Sequence, residues 1–263
     1  MKKDKIIVRI NNLQEISDYK KVGISNFLFA LEEFSVGYPA FSLSKLKELP
    51  ENVFLLVNRA FDKEALDDFI KIKDELNFVK GIFYEDIAVY QVLKNSNVSL
   101  FWNQMHAAVS SLSVNFWLNK VTSVVLANEL TKEEIINILD KANKRVIFPV
   151  FGLNMAMYSR RHLLSNYNKF KEFKNYQTAI LKTGVNTEFL AAENKYGTVF
   201  FYHKYFNLIK EIKFFNDDKI LLYYVDPNEV SSINMIDILN GKEVNYDNRF
   251  YEKKTIYKIG DEK

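Results

Sequence analysis

The sequence predicts an α/β protein, a (β/α)8 TIM-like barrel of regular or irregular outline, with a small β-rich insertion between its seventh and eighth strands. Three observations predict it. Short β-branched runs alternate with amphipathic helical stretches. The connections between them are short, which favours parallel strands joined by crossover helices. Eight such units follow one another, the number that closes a barrel. The whole chain of 263 residues is expected to form one barrel domain, 1–263, with the insertion, 168–215, inside it.

The elements follow in order. Ile6–Ile10 reads as a strand and Leu13–Val22 as a helix with Leu13, Ile16 and Tyr19 on its apolar face. Asn26–Leu31 is the second strand, with a short helix over Ser44–Leu49. Val53–Asn58 precedes a helix over Asp62–Leu76, for which Asp62 is the expected N-cap. Gly81–Tyr84 pairs with a helix at Ile87–Leu93, and Val98–Asn103 with one at Ala107–Leu118. Ser123–Ala127 leads to Thr131–Lys141, where Thr131 and Glu134 have the spacing of a capping box. Arg145–Val150 is the seventh strand and Ile220–Val225 the eighth, with a helix over Glu229–Leu239. Between them Gln177–Lys182, Glu188–Ala192 and Thr198–Lys204 alternate like antiparallel strands, with a turn at Asn194–Gly197.

Composition narrows the chemistry. Apolar residues make up 48% and charged residues 26%, with Phe 22 and Tyr 15, which is a globular and not a disordered composition. Cysteine is absent, so no disulfide, cysteine nucleophile or cysteine-ligated iron–sulfur cluster can form in this chain, and the sequence leaves any other cofactor unknown. The most apolar stretch, Val146–Tyr158, is interrupted by Pro149, Gly152 and Asn154 and is too short to span a bilayer. A cytoplasmic protein without membrane contact is expected. The net charge of +3 is small, but Ser159–Tyr176 carries two Arg and three Lys against one Glu, a local balance of +4. Tyr158, Tyr167, Phe170, Phe173 and Tyr176 interleave with those cations, as on a surface that stacks unpaired bases and neutralises phosphates. The same spacing also suits an amphipathic helix with its aromatics in the core.

In a barrel of this type, chemistry gathers where strands end. Those positions hold Asn58 and Arg59, Glu85 and Asp86, Asn103, Gln104 and His106, Asn128 and Glu129, Gly152 and Asn154, and Asp226. The candidates for catalysis are His106, Glu129 and Asp86. The candidates for substrate contact are Asn58, Asn103, Gln104, Tyr158, Arg160, Arg161 and His162. Arg160 and Arg161 are expected to hold a phosphate or an acidic small molecule. Capping is the competing role for Asp86 and Asp226. Arg160 and Arg161 have a competing role too, in a structural network with Glu129 and Asp86. His106 and His162 converging with Glu129 or Asp86 would suit zinc or iron, against which stand helix capping for His106 and a core-facing helix for His162. No metal is assigned, and His203 has no evident partner in sequence.

The segments VVLANELTKEEI (Val124–Ile135) and VFGLNMAMYSRRHLLSNY (Val150–Tyr167) resemble the collagenase-like peptidase family U32. LLVNRAF (Leu55–Phe61), FYEDIAVY (Phe83–Tyr90) and LFWNQMHAAVSSLSVNFW (Leu100–Trp117) fall in the family's order, so the resemblance covers roughly residues 1–170 well. Met155 and His162 stand where the family's central motif has two cysteines, which places this chain with a short, cysteine-poor branch. The resemblance implies either RNA modification, as tRNA or rRNA hydroxylation, or a peptidase. It also allows a non-catalytic role beside a cysteine-bearing U32 paralogue. A serine mechanism would require Ser159 or Ser165 beside His162 and a carboxylate.

Overall fold

The computed structural model describes residues 1–50, 52–104, 106–174, 177–184 and 187–253, with nothing stated for the side chain of Arg249. Tyr176, the last aromatic of the basic segment, lies outside the described residues. Runs such as NFLFAL and NVFLLV are apolar at both parities, the pattern of strands covered on both faces.

In chain order the elements begin with β1 (Ile6–Arg9), α1 (Ile16–Lys21), β2 (Asn26–Leu31), β3 (Ala40–Phe41), α2 (Leu43–Lys47) and β4 (Asn52–Val57). Next come α3 (Lys63–Ile72), β5 (Gly81–Tyr84), α4 (Ile87–Leu93), β6 (Leu100–Trp102), α5 (Ser111–Leu118), β7 (Ser123–Val124) and α6 (Lys132–Lys141). The chain continues through β8 (Val146–Ser159), α7 (Leu163–Phe170), β9 (Thr178–Lys182), β10 (Glu188–Asn194) and β11 (Gly197–Asn207). It closes with β12 (Ile220–Val225), α8 (Ser232–Leu239) and α9 (Arg249–Glu252).

Local chemistry starts the helices where the sequence signals it. Asp62 accepts from the Ala65 amide at the start of α3, and Thr131 and Glu134 form the reciprocal capping box of α6. The helix expected from Ala107 begins later, at Ser111. Ser110 and Ser113 supply its capping box with two hydroxyls, a combination less conspicuous in sequence than Thr with Glu.

The fold is mixed α/β, with one large sheet of 12 strands among the described residues. Eight parallel strands run in the order β7-β6-β5-β4-β2-β1-β12-β8. Its two outer members approach each other just beyond β7. Val125 and Ile147 form an isolated parallel bridge, and the Leu126 amide donates to the Ile147 carbonyl at 3.0 Å. From β8 the sheet continues antiparallel through β11, β10 and β9.

The seventh strand extends well past Val150. β8 has 14 residues: its first half pairs with β12 and its second half with β11. Gly152 does not end it. An added Cβ there would sit 3.1 Å from the Asp226 Cβ, so this glycine permits close approach of a neighbouring strand and makes no turn. Gly197 is the turn glycine, with φ +138 and the Ser159 carbonyl crowding the place where a Cβ would stand.

Alternation sorts the strand side chains. Ile6, Val8, Phe27, Phe29, Leu55 and Ile82 pack against the helices in the main core. The other parity supplies Ile7, Leu28, Phe54, Leu56, Phe83, Phe101, Ile147 and Leu222, with Val125 from just past β7, in one cluster.

Candidate functional site

Continuing the second parity toward the strand ends replaces apolar side chains with polar ones. Ile7 is followed by Arg9, Leu56 by Asn58, Phe83 by Glu85, Phe101 by Asn103 and Tyr224 by Asp226. Glu85, Asn103 and Asp226, with Tyr38, Asn128 and Tyr224, line a narrow cleft whose enclosed volume is about 20 Å³, room for a water-sized group.

The wall is rigid on one side. Arg9 is 1% exposed, and its Nε donates to Asp226 Oδ1 at 2.6 Å while Nη1 donates to Asn11 Oδ1 at 2.7 Å. The guanidinium lies 4.3 Å from the centre of the Tyr38 ring. Asp226 also accepts from the Asn228 amide at 3.3 Å and stands 3.5 Å from the Tyr224 hydroxyl. Burial pushes the hydroxyls of Tyr38 and Tyr224 well above their ordinary range, so both keep their protons.

The opposite wall is less committed. Burial raises the Glu85 carboxyl to about 8, and no ion pair counteracts it. The buried Asn128 side-chain oxygen has no hydrogen-bond partner among the described residues. A buried acceptor left open in this way invites a ligand group or water.

The residues expected from sequence divide sharply. Asn103 is buried and lines the cleft. Asn58 is buried but engaged: its side chain accepts from the Val36 amide at 2.9 Å and donates to the Val36 carbonyl at 3.0 Å. Asp86 has the opposite parity to Glu85 and faces the helix layer, where it accepts from Ala88 N and Phe61 N, both at 2.8 Å. It is the N-cap of α4. Gln104 reaches the Glu85 carbonyl at 3.5 Å.

His106 and Glu129 do meet, Nδ1 to Oε2 at 3.2 Å, on the exposed rim. His162 is elsewhere, at the start of α7 with Nε2 3.1 Å from the Lys195 carbonyl. Among the described residues no group of three or more His, Asp or Glu side chains is placed to hold a metal. His203 has two carboxylate neighbours, Glu188 at 3.4 Å and Glu229 at 3.5 Å.

The serine arrangement is not assembled. Ser165 Oγ donates to Glu193, and Ser159 Oγ accepts from the Arg161 amide. Glu193 also accepts from the Leu164 and Ser165 amides and from Thr198, which makes it the anchor of the α7 N-terminus.

Arg160 pairs with Asp62 at 2.7 Å, not with Glu129 or Asp86. Arg59 reaches the same carboxylate at 3.4 Å, and its guanidinium stacks 3.9 Å from the Tyr196 ring centre. Two cations thus share one carboxylate on the rim, and Arg161 is exposed beside them. Tyr158 donates to the Tyr196 carbonyl at 3.2 Å and accepts from the Ala60 amide at 3.4 Å. The basic segment therefore begins on the rim.

Tyr158 is partly buried against an apolar cluster, but three further aromatics of the segment stand in solvent. Tyr167 is 49% exposed, Phe170 78% and Phe173 59%, against the amphipathic-helix alternative.

The fold and this cleft define a class, α/β proteins with a polar pocket at the carboxyl ends of parallel strands. A family model, Peptidase family U32, matches residues 11–225, and the chain belongs to that family. It is similar to the tRNA hydroxylation protein P2 of Bacillus subtilis (strain 168), 22% identical over 185 residues. That alignment covers 65% of this chain and spans 60% of the relative's length. A solved structure, the C-terminal domain of a putative chitinase from Desulfitobacterium hafniense DCB-2, aligns over 90% of this chain and 99% of its own with a TM-score of 0.43 and 11% identity. No helix among the described residues is long and apolar enough to cross a membrane.

Proposed function

We propose that this U32 protein acts in RNA modification of the tRNA or rRNA hydroxylation type, holding RNA on the basic, aromatic segment beside a closed eight-strand barrel. The carrying observation is the exposure of Tyr167, Phe170 and Phe173 among Lys169, Lys171 and Lys174. An aromatic in water costs stability unless it meets a partner, and a base face is the partner that cations alongside would bring. The tRNA hydroxylation relative supports the same reading. The barrel reading is supported by the Val125–Ile147 bridge and by the interior apolar cluster, to which seven of the parallel strands and Val125, just past β7, contribute.

The test is mass spectrometry of nucleosides from tRNA and rRNA, with and without the gene. Loss of one hydroxylated nucleoside is the expected result; an unchanged profile refutes the proposal. Replacing Arg160 and Arg161 together by Ala should weaken RNA binding and flatten its log–log salt dependence by about 0.7 for each phosphate no longer neutralised. Because the Arg160–Asp62 pair is largely exposed, the same change should cost no more than about 1 kcal/mol of stability. A large drop in melting temperature would make these arginines structural.

A further inference from the structure

We propose that Glu85 is the proton-transfer residue of this protein, its carboxyl exchanging a proton with an oxygen or nitrogen of the substrate group that enters the strand-end cleft. The proposal rests on the RNA-modification reading for its substrate and goes beyond it in naming the reacting side chain.

Position is the first argument. Glu85 immediately follows β5 and continues the parity of Phe83, which lies in the interior cluster, so that it lines the cleft. A substrate group entering the cleft meets its carboxyl beside Asn103 and the open amide oxygen of Asn128. Those two amides can orient a planar polar group, which is what a proton transfer over hydrogen-bond distance requires.

Elimination is the second. Asp226, the other carboxylate of the lining, is occupied by Arg9, by the Asn228 amide and by the Tyr224 hydroxyl. Arg9 is itself committed to Asp226 and Asn11 and stacks on Tyr38. Tyr38 and Tyr224 hold their protons firmly. His106 is on the exposed rim with Glu129, and it does not line the cleft. Glu85 has no hydrogen-bond or ion-pair partner for its carboxyl among the described residues, so gaining or losing a proton there disrupts no existing bond. Its value of about 8 leaves both forms accessible near neutrality.

The step balances without a redox partner. The Oε–H bond breaks as the proton bonds to the substrate heteroatom, leaving the Glu85 carboxylate; the reverse transfer restores the acid. The oxidation level of the substrate is unchanged by it.

The experiment complements a deletion strain with wild type, Glu85→Gln or Glu85→Asp and quantifies the hydroxylated nucleoside. Each purified protein is also checked for melting temperature and for affinity toward total tRNA. Gln keeps the size and a hydrogen-bond donor but cannot exchange the proton. The expected result is a nucleoside level at least tenfold lower for Gln, partial recovery for Asp, and tRNA affinity within twofold of wild type for both. Wild-type nucleoside levels with Gln would overturn the proposal, as would loss of tRNA binding in step with loss of product. Should Gln fail to fold, a folded Asp variant with no product would also overturn it. If deletion of the gene alters no nucleoside, the RNA reading itself fails, a result distinct from either variant outcome.

Discussion

Strand alternation separates Glu85 from Asp86. The first points along the interior parity into the cleft, while the second turns to the helix layer and is consumed by two backbone amides. Their surroundings give them opposite chemistry. Glu85, raised by burial from an ordinary 4.5 to about 8, keeps its proton in the fold when the unfolded chain has already released it. Between pH 4.5 and 8 the folded state therefore binds more protons, and stability falls as pH rises. Glu85→Gln should remove that dependence. Its melting temperature should lie close to wild type at pH 5 and exceed it by several degrees near pH 8. A gap of constant size across that range, measured by thermal unfolding, would show that Glu85 does not titrate there. The strand-end residues are legible in sequence, because polar side chains after apolar runs are visible without a structure. Which of two neighbours faces the cleft is not, since it depends on carrying the interior parity past the strand end. Asp86 turns to the helix layer on that account, whereas Asn58 keeps the interior parity and is taken up by the Val36 backbone. Arg9 escapes a sequence reading because a cation within an apolar run looks like strand-edge solvation until its partner, 217 positions away, is known.

At the scale of elements, α7 is held by one carboxylate. Burial alone would raise Glu193, but hydrogen bonds from the Ser165 and Thr198 hydroxyls and from the Ser165 and Leu164 amides outweigh it, so its value lies below the ordinary range. The stabilisation is present above the ordinary glutamate value and is lost as pH falls through the lowered one. Glu193→Gln should cost about 1–3 kcal/mol at neutral pH, seen first as faster hydrogen exchange of the α7 amides. Unchanged exchange there would mean that the helix is held by packing alone. Most strands and helices are legible from period and caps, β2, β5, α4 and β12 to the residue. The length of β8 is not. Gly152 reads as a break in one dimension, and only the neighbouring Asp226 explains why the strand needs it. The exposure of Phe170 and Phe173 is equally hidden, because a three-residue spacing describes a helix face without saying what the face meets.

The whole molecule is tied at β1 and β12. Their ladder pairs Ile6 with Tyr223 and Val8 with Val225, and the buried Arg9–Asp226 pair sits at its end. Removing one member of such a pair strands a charge away from water. Arg9→Ala should therefore cost roughly 3–5 kcal/mol, measured by urea unfolding. A cost below about 1 kcal/mol would show that water reaches Asp226 easily in its absence. The same seam has a consequence during synthesis. One side of β1 has its partner strand near the far end of the described chain, so the ribosome must deliver β12 before that side can pair. Until then a ladder of amides and carbonyls stands open in a crowded cell, and a nascent chain stopped short of Ile220 exposes an edge on which other chains can assemble.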